Sequence, residues 1–183
     1  EDLWALPREI YADKEQNMEP YFAIMRLPDG KDEEFILLLP FTPNNKQNMV
    51  AWLGAKSDGD NYGQRILYQM PKDRLVYGPM QVEARVTQDT EVSAQITLWS
   101  QAGSTVTRGN LLIIPIENSF LYVEPLYLLA ERGQIPQLKR VIVTTANAVA
   151  MDENLGLALR RLFAGVVLPG SAPAPATPTP GGQ

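Results

Sequence analysis

Apolar positions are densest in residues 108–128, where residues 111–116 and 120–128 form two nearly unbroken hydrophobic runs around Glu117, Asn118 and Ser119. Turn formers between two such runs predict a β-hairpin. Its first arm is apolar on both faces, with Leu112, Ile114 and Ile116 on one side and Leu111 and Ile113 on the other. A strand covered on both faces belongs at the centre of a layer or in a barrel wall, so the rest of the chain must supply two covers. Ile114 is accordingly expected to matter more to the fold than any position in the polar turn SDGDNYG at 57–63.

The remaining elements follow from the same patterning. Residues 1–20 carry scattered anchors (Leu3, Trp4, Leu6, Ile10, Tyr11) broken by Pro7, which predicts an extended or briefly helical lead-in. Residues 21–27 and 35–39 flank Pro28, Asp29 and Gly30 and predict a first hairpin. A third strand at 48–55 carries Trp52, and a fourth at 64–70 places Ile66, Tyr68 and Met70 on one face. Residues 73–77, closed by Gly78, are a short fifth candidate. Pro79 suits the first position of a helix in which Val82 and Val86 fall one turn apart. Asp89 or Thr90 can cap a second helix, with Val92, Ile96 and Trp99 on one face and Gly103 at its end.

Residues 105–107 lead into the central hairpin, and 138–145 predict a further strand after a polar excursion. Asp152 is the expected cap of a last helix with a Leu155, Leu159 and Leu162 stripe, cations at Arg160 and Arg161, and Gly165 as its stop. The final PGSAPAPATPTPGGQ, residues 169–183, has no periodicity and reads as a disordered, proline-stiffened linker. No internal repeat is visible. The pattern predicts an α+β fold in a single globular domain over 1–168. Seven or eight mostly antiparallel strands would form a strongly curved sheet or partly open barrel, covered by about three helices.

Composition narrows the chemistry. A hydrophobic content of 45% and a charged content of 20% are those of an ordinary globular protein. The net charge of −5 offers no basic footprint, so nucleic acid is not an expected partner. The chain has neither cysteine nor histidine. Disulfides, thiol nucleophiles, cysteine zinc sites and serine–histidine catalysis are therefore excluded from the chain itself. No run of about 18 apolar residues occurs. The opening at Glu1 reads as the start of a piece cut from something longer.

Catalysis without histidine leans on carboxylates. Glu124 stands inside the apolar LYVEPLYL, just before Pro125. A lone carboxylate there must pair with a cation or face a cleft. The commoner arrangement is a glutamate bridged to an arginine such as Arg85 or Arg108; the alternative is a functional acid with a raised pKa. Glu83 and Glu117 are possible second carboxylates for glycoside chemistry, which needs two. Asp58, Asp60 and Asn61 superficially resemble a calcium loop, but position 69 is Gln69, so a surface turn is the better reading. Gly54, Gly59, Gly63 and Gly78 form no phosphate-binding pattern. Trp52, Tyr62, Tyr68, Tyr77 and Tyr127 could make a sugar-stacking platform, although aromatics more often fill strands and cores.

Longer phrases carry a resemblance. EDLWALPREIY, EPYFAIMRLP, EEFILLLPFTP, QNMVAWLGAKSD, PKDRLVYGPMQVEARVTQD, ITLWSQAGSTVTRGNLLIIPIENSFLYVEPLYL and LKRVIV resemble, in order, uncharacterised protein family 0182, bacterial multi-pass membrane proteins of unknown function. The resemblance runs from Glu1 to about Phe163 and stops at the proline-rich tail. It implies transmembrane helices N-terminal to this piece and a soluble region outside the cytoplasm, of which this chain is part. It implies no catalytic residue, cofactor or metal ligand. It also implies that apolar surface near Glu1 is left open by truncation. Two functions remain: a non-catalytic domain that binds a protein partner or envelope component, and a carboxylate-based enzyme acting on an envelope glycan.

Overall fold

Hairpin follows hairpin along the chain, because apolar–polar alternation with short turns pairs each strand with its successor. The computed structural model describes residues 3–27, 30–101, 104–116, 119–130 and 135–164. Strands β1 (Trp4–Ala5), β2 (Arg8–Tyr11), β3 (Lys14–Asn17), β4 (Tyr21–Arg26), β5 (Glu33–Pro43), β6 (Ala51–Lys56) and β7 (Arg65–Gln69) come first. Helices α1 (Pro79–Gln88) and α2 (Thr90–Gln101) follow. Then come β8 (Ser104–Arg108), β9 (Leu112–Ile116), β10 (Ser119–Ala130), β11 (Gln137–Thr144), β12 (Val149–Asp152) and α3 (Leu155–Leu162). One five-stranded sheet is built on β5 and a second on β10, while β2 and β3 pair separately.

The two sheets share a plan that the sequence does not advertise. In each, the long strand has a full neighbour on one edge, β6 for β5 and β11 for β10. Its other edge is divided between two shorter strands. On β5, β4 pairs as far as Leu38 and β1 resumes at Thr42. On β10, β9 pairs as far as Val123 and β8 resumes at Leu126. Pro40 and Pro125 stand in those two gaps. Proline cannot donate to a ladder, and on that edge neither proline is paired with a strand residue, although the Pro125 carbonyl accepts from the Gly109 amide at 2.9 Å.

One core lies between the sheets. Ile36, Leu38 and Trp52 from the first meet Ile113, Leu126 and Ile142 from the second, with Val82, Val86 and Val92 inserted from α1 and α2. A smaller cluster covers the other face of the second sheet, where Val123, Val141 and Val143 pack with Ala158 of α3. The central hairpin is thus covered on both faces, as its pattern requires. The most deeply set residue of its first arm is Ile113, however, while Ile114 is half-buried and Ile116 exposed. Side chains on the Ile113 face enter the shared core; those on the Ile114 face meet only the thinner layer under α3.

Other expectations change. Neither five-stranded sheet closes on itself: β7 pairs only with β6 and β12 only with β11, so the barrel gives way to two open sheets. The apolar pattern is satisfied by sheet facing sheet, which hairpin signals cannot distinguish from a barrel wall. Of the two forms expected for the lead-in it takes the extended one, and β2 and β3 form a tight hairpin in which Ala12 and Asp13 both take positive φ (47° and 61°). Two consecutive left-handed residues make the turn type whose usual signal is Asn-Gly, which is absent here. Residues 73–77 form no strand, only a bridge from Val76 to Met49. β8 and β12 are strands that the pattern did not reveal.

Asp89 caps α2 as expected, accepting from the Glu91 and Val92 amides. The cap of α3 is Asn154, whose Oδ1 accepts from the Leu157 amide at 3.0 Å, and not Asp152. Asn154→Ala is expected to lower stability by about 1 kcal/mol and Asp152→Ala by clearly less, as read by urea unfolding. Equal losses would return the cap to Asp152. Of the predicted stripe, Leu159 and Leu162 pack on the smaller cluster while Leu155 is exposed, and Ala158 makes the closest approach. Pro28, Asp29, Gly103, Glu117, Asn118, Gly165 and residues 169–183 lie outside the described residues. Among the described residues no helix is long and apolar enough to cross a membrane.

Candidate functional site

Two of the carboxylates singled out by sequence, Glu83 and Glu124, converge on one arginine. Arg108 ends β8 opposite Leu126 of β10. Glu124 lies two residues earlier on β10 and hence on the same face. On α1, Glu83 and Thr87 are one helical turn apart and face the same point. Arg108 Nη1 lies 3.4 Å and 3.3 Å from the two Glu124 oxygens and forms an ion pair with Glu83. Its Nη2 donates to Thr87 Oγ1 at 3.3 Å. Gly109 lets the chain turn away just beyond the arginine, since a Cβ there would come within 2.7 Å of the Pro125 ring.

One guanidinium between two carboxylates leaves an excess negative charge in a nearly closed site. Glu124 is only 1% exposed. Burial first, and then the negative Glu83, push its pKa up to about 8 against the attraction of Arg108. Burial also raises Glu83, again opposed by Arg108. Both acids are thus pushed toward the protonated form, each opposed by the same guanidinium. The cluster thereby combines the two arrangements posed as alternatives for Glu124: an arginine partner, and an acid that keeps its proton near neutrality.

The other candidates do not join it. Arg85 lies over the Tyr77 ring and donates to the Ala146 carbonyl. Glu117 is outside the described residues. The Asp58 carboxylate accepts from the Phe35 amide at 3.2 Å and so ties this loop to β5. The proposed sugar platform is dispersed: Trp52 stacks on Tyr68, Tyr77 binds Tyr122 through its carbonyl, and Tyr62 stands exposed in a turn. Tyr127 lines a cleft of about 510 Å³ with Tyr11, Asn110 and Pro125. Pro125 and Tyr127 alternate with Glu124 and Leu126 and so face away from the carboxylates, while Arg108, which holds both carboxylates, also lines this cleft. Neither this cleft nor a larger one of about 680 Å³ beside Ile24 and Ile116 is lined by Glu83 or Glu124.

Sequence reasoning missed two polar groups that close the free edge of β9. Tyr21 Oη donates to the Ile113 carbonyl at 2.5 Å and accepts from the Ile113 amide at 3.1 Å. Glu9, buried on β2, receives Gln16 Nε2 at 3.1 Å and the Leu111 amide. Burial raises its pKa. Strand alternation in REIY could have marked Glu9 only if the hairpin had been foreseen. These side chains take the place of a missing neighbouring strand.

The model of the Uncharacterised protein family (UPF0182) matches residues 1–99, more than half of the chain. The chain belongs to this family. A UPF0182 protein of Trichodesmium erythraeum is 59% identical over 163 residues, 89% of this chain but 18% of that relative. Another from Desulforamulus reducens is 52% identical over 187 residues, covering 100% of this chain and 20% of the relative. A third, from Pelotomaculum thermopropionicum, is 56% identical over 163 residues. The chain therefore spans about a fifth of the length of these UPF0182 relatives. No solved structure matches it.

Proposed function

We propose that this UPF0182 chain is a non-catalytic extracytoplasmic domain of a multi-pass membrane protein, acting by binding a protein partner or a component of the cell envelope. The observation that carries this reading is the Glu83–Arg108–Glu124 cluster. A carboxylate pair poised for hydrolysis needs access to substrate and an oxygen free to act. Here an arginine lies between the carboxylates, Glu124 is sealed from solvent, and neither acid lines the clefts beside Tyr127 or Ile24. The core shared by both sheets supports treating residues 3–164 as one folding unit, and the reading of residues 169–183 as a linker rests on their composition.

The glycan-acting enzyme is the competing reading, and the raised pKa of Glu124 is what favours it. A membrane-impermeant maleimide applied to intact cells tests location, since this chain contributes no cysteine and any others in a family-length protein can be replaced. Tyr62→Cys in a family-length protein, 77% exposed in this fold, is expected to label without breaking the cells. Labelling only after lysis would overturn the extracytoplasmic placement. Release of envelope sugars that is abolished by Glu83→Gln and Glu124→Gln would overturn the non-catalytic reading.

A further inference from the structure

The two sheets share a plan but not a finish. The outer face of the second is covered by α3. The equivalent face of the first has no helix on it among the described residues; its middle is apolar, with Arg26, Glu33, Arg65 and Gln69 at its margins. Phe22 and Ile24 of β4, Phe35 of β5 and Leu67 of β7 all stand out from it, and Phe22 stacks on Phe35 at 4.8 Å. Trp4 of β1 extends the face to Phe41, with ring centroids 5.9 Å apart. None of these side chains belongs to either core cluster, and among the described residues no helix packs substantially on β4, β5, β6 or β7. A soluble surface seldom carries so continuous an aliphatic and aromatic patch without a use for it.

We infer that this face is the seat of an amphipathic helix from the remainder of the same polypeptide in a UPF0182 protein of family length. Three observations select that occupant. The chain is about a fifth of the length of its relatives, which leaves four fifths of the polypeptide to supply a cover. The first described residues, Leu3 and Trp4, are exposed at the rim of this face and held there by Leu3 accepting from the Asn44 amide at 2.6 Å. Any residues preceding them in a longer chain leave the fold beside the patch. The second sheet shows the geometry: a helix that follows its last strand, contributing Ala158 for close approach and Leu159 and Leu162 for cover. The helices after β7 cannot play that part, since α1 and α2 direct Val82, Val86 and Val92 into the shared core.

This rests on reading the chain as part of a larger protein and deepens it by placing the partner in cis. Single cysteines in a cysteine-free family-length protein, purified in detergent, test it. Ile24 and Tyr62 are 71% and 77% exposed in the isolated fold, so an open face gives Ile24→Cys and Tyr62→Cys similar maleimide rates. The covered face is expected to slow Ile24→Cys at least about tenfold relative to Tyr62→Cys, the protection of a site that opens only transiently. That protection should persist on dilution and after exchange into lipid-free amphipol. Equal rates overturn the inference. Protection lost on dilution assigns the face to a second copy, and protection lost without lipid assigns it to the membrane; either also overturns it. Location is read separately, from intact-cell labelling at Tyr62→Cys, so failure of one reading does not imply failure of the other.

Discussion

Replacing Arg108 by alanine is expected to be among the most destabilising single changes in this fold, by roughly 3–5 kcal/mol at pH 8. The variant leaves Glu83 and Glu124 facing each other with no cation, and both must then bind protons to remain buried. The loss should therefore shrink at pH 5, where protonation of the second acid is easier. The unaltered protein has its own pH signature. The folded pKa of Glu124 is raised above its ordinary value of 4.5, to about 8, so the folded state holds the proton more tightly than the unfolded chain. Stability from that proton is fully present below about 4.5 and is lost as the pH rises to and through about 8.

Glu124→Gln removes this titration and should flatten the profile, so the variant gains on the parent between pH 5 and pH 9. Urea unfolding of the parent, Arg108→Ala and Glu124→Gln at pH 5, 8 and 9 supplies the comparison. An Arg108→Ala loss under about 1 kcal/mol at pH 8, the range of exposed pairs, would mean that the arginine is not the partner the geometry makes it. A Glu124→Gln profile parallel to that of the parent would mean that the carboxylate pair does not hold a proton.

The second large effect is expected in the shared core. Ile113→Ala should cost roughly 2–5 kcal/mol, the range for a fully enclosed isoleucine whose cavity cannot collapse. Ile113 is nearly inaccessible, and its amide and carbonyl are both held by Tyr21 Oη. Ile114→Ala, on the half-buried face, should lose clearly less. Equal losses would show that the layer under α3 is as demanding as the core between the sheets. A smaller loss at Ile113 would place the hairpin the other way up.

That one-residue difference marks the boundary between pattern and packing. The alternating and two-sided apolar runs were enough to place the hairpins β4–β5 and β9–β10, the strand β11, and helices α1 and α2 with their valines inward. They also said that β9 needs two covers. Periodicity reports which faces are apolar, and those elements bury faces that are continuous in sequence. It cannot say which of two apolar faces meets the thicker layer, so Ile113 and Ile114 were indistinguishable until the sheets were stacked. Nor can it separate a barrel wall from two open sheets, since both read as hairpins with apolar sides.

The β2–β3 hairpin was hidden because Ala12 and Asp13 enter left-handed conformations that their residue types do not announce. At the candidate site, Glu124 was legible as an anomaly: a carboxylate in an apolar strand. Its partner was narrowed only to an arginine such as Arg85 or Arg108. Arg108 is 16 residues from Glu124 in sequence and Glu83 comes from another element, so convergence on one point is a product of sheet register and of the docking of α1. The raised pKa of Glu124 belongs to the tertiary structure alone. It follows from burying that carboxylate beside a second one with a single guanidinium between them, and no residue type carries that information by itself.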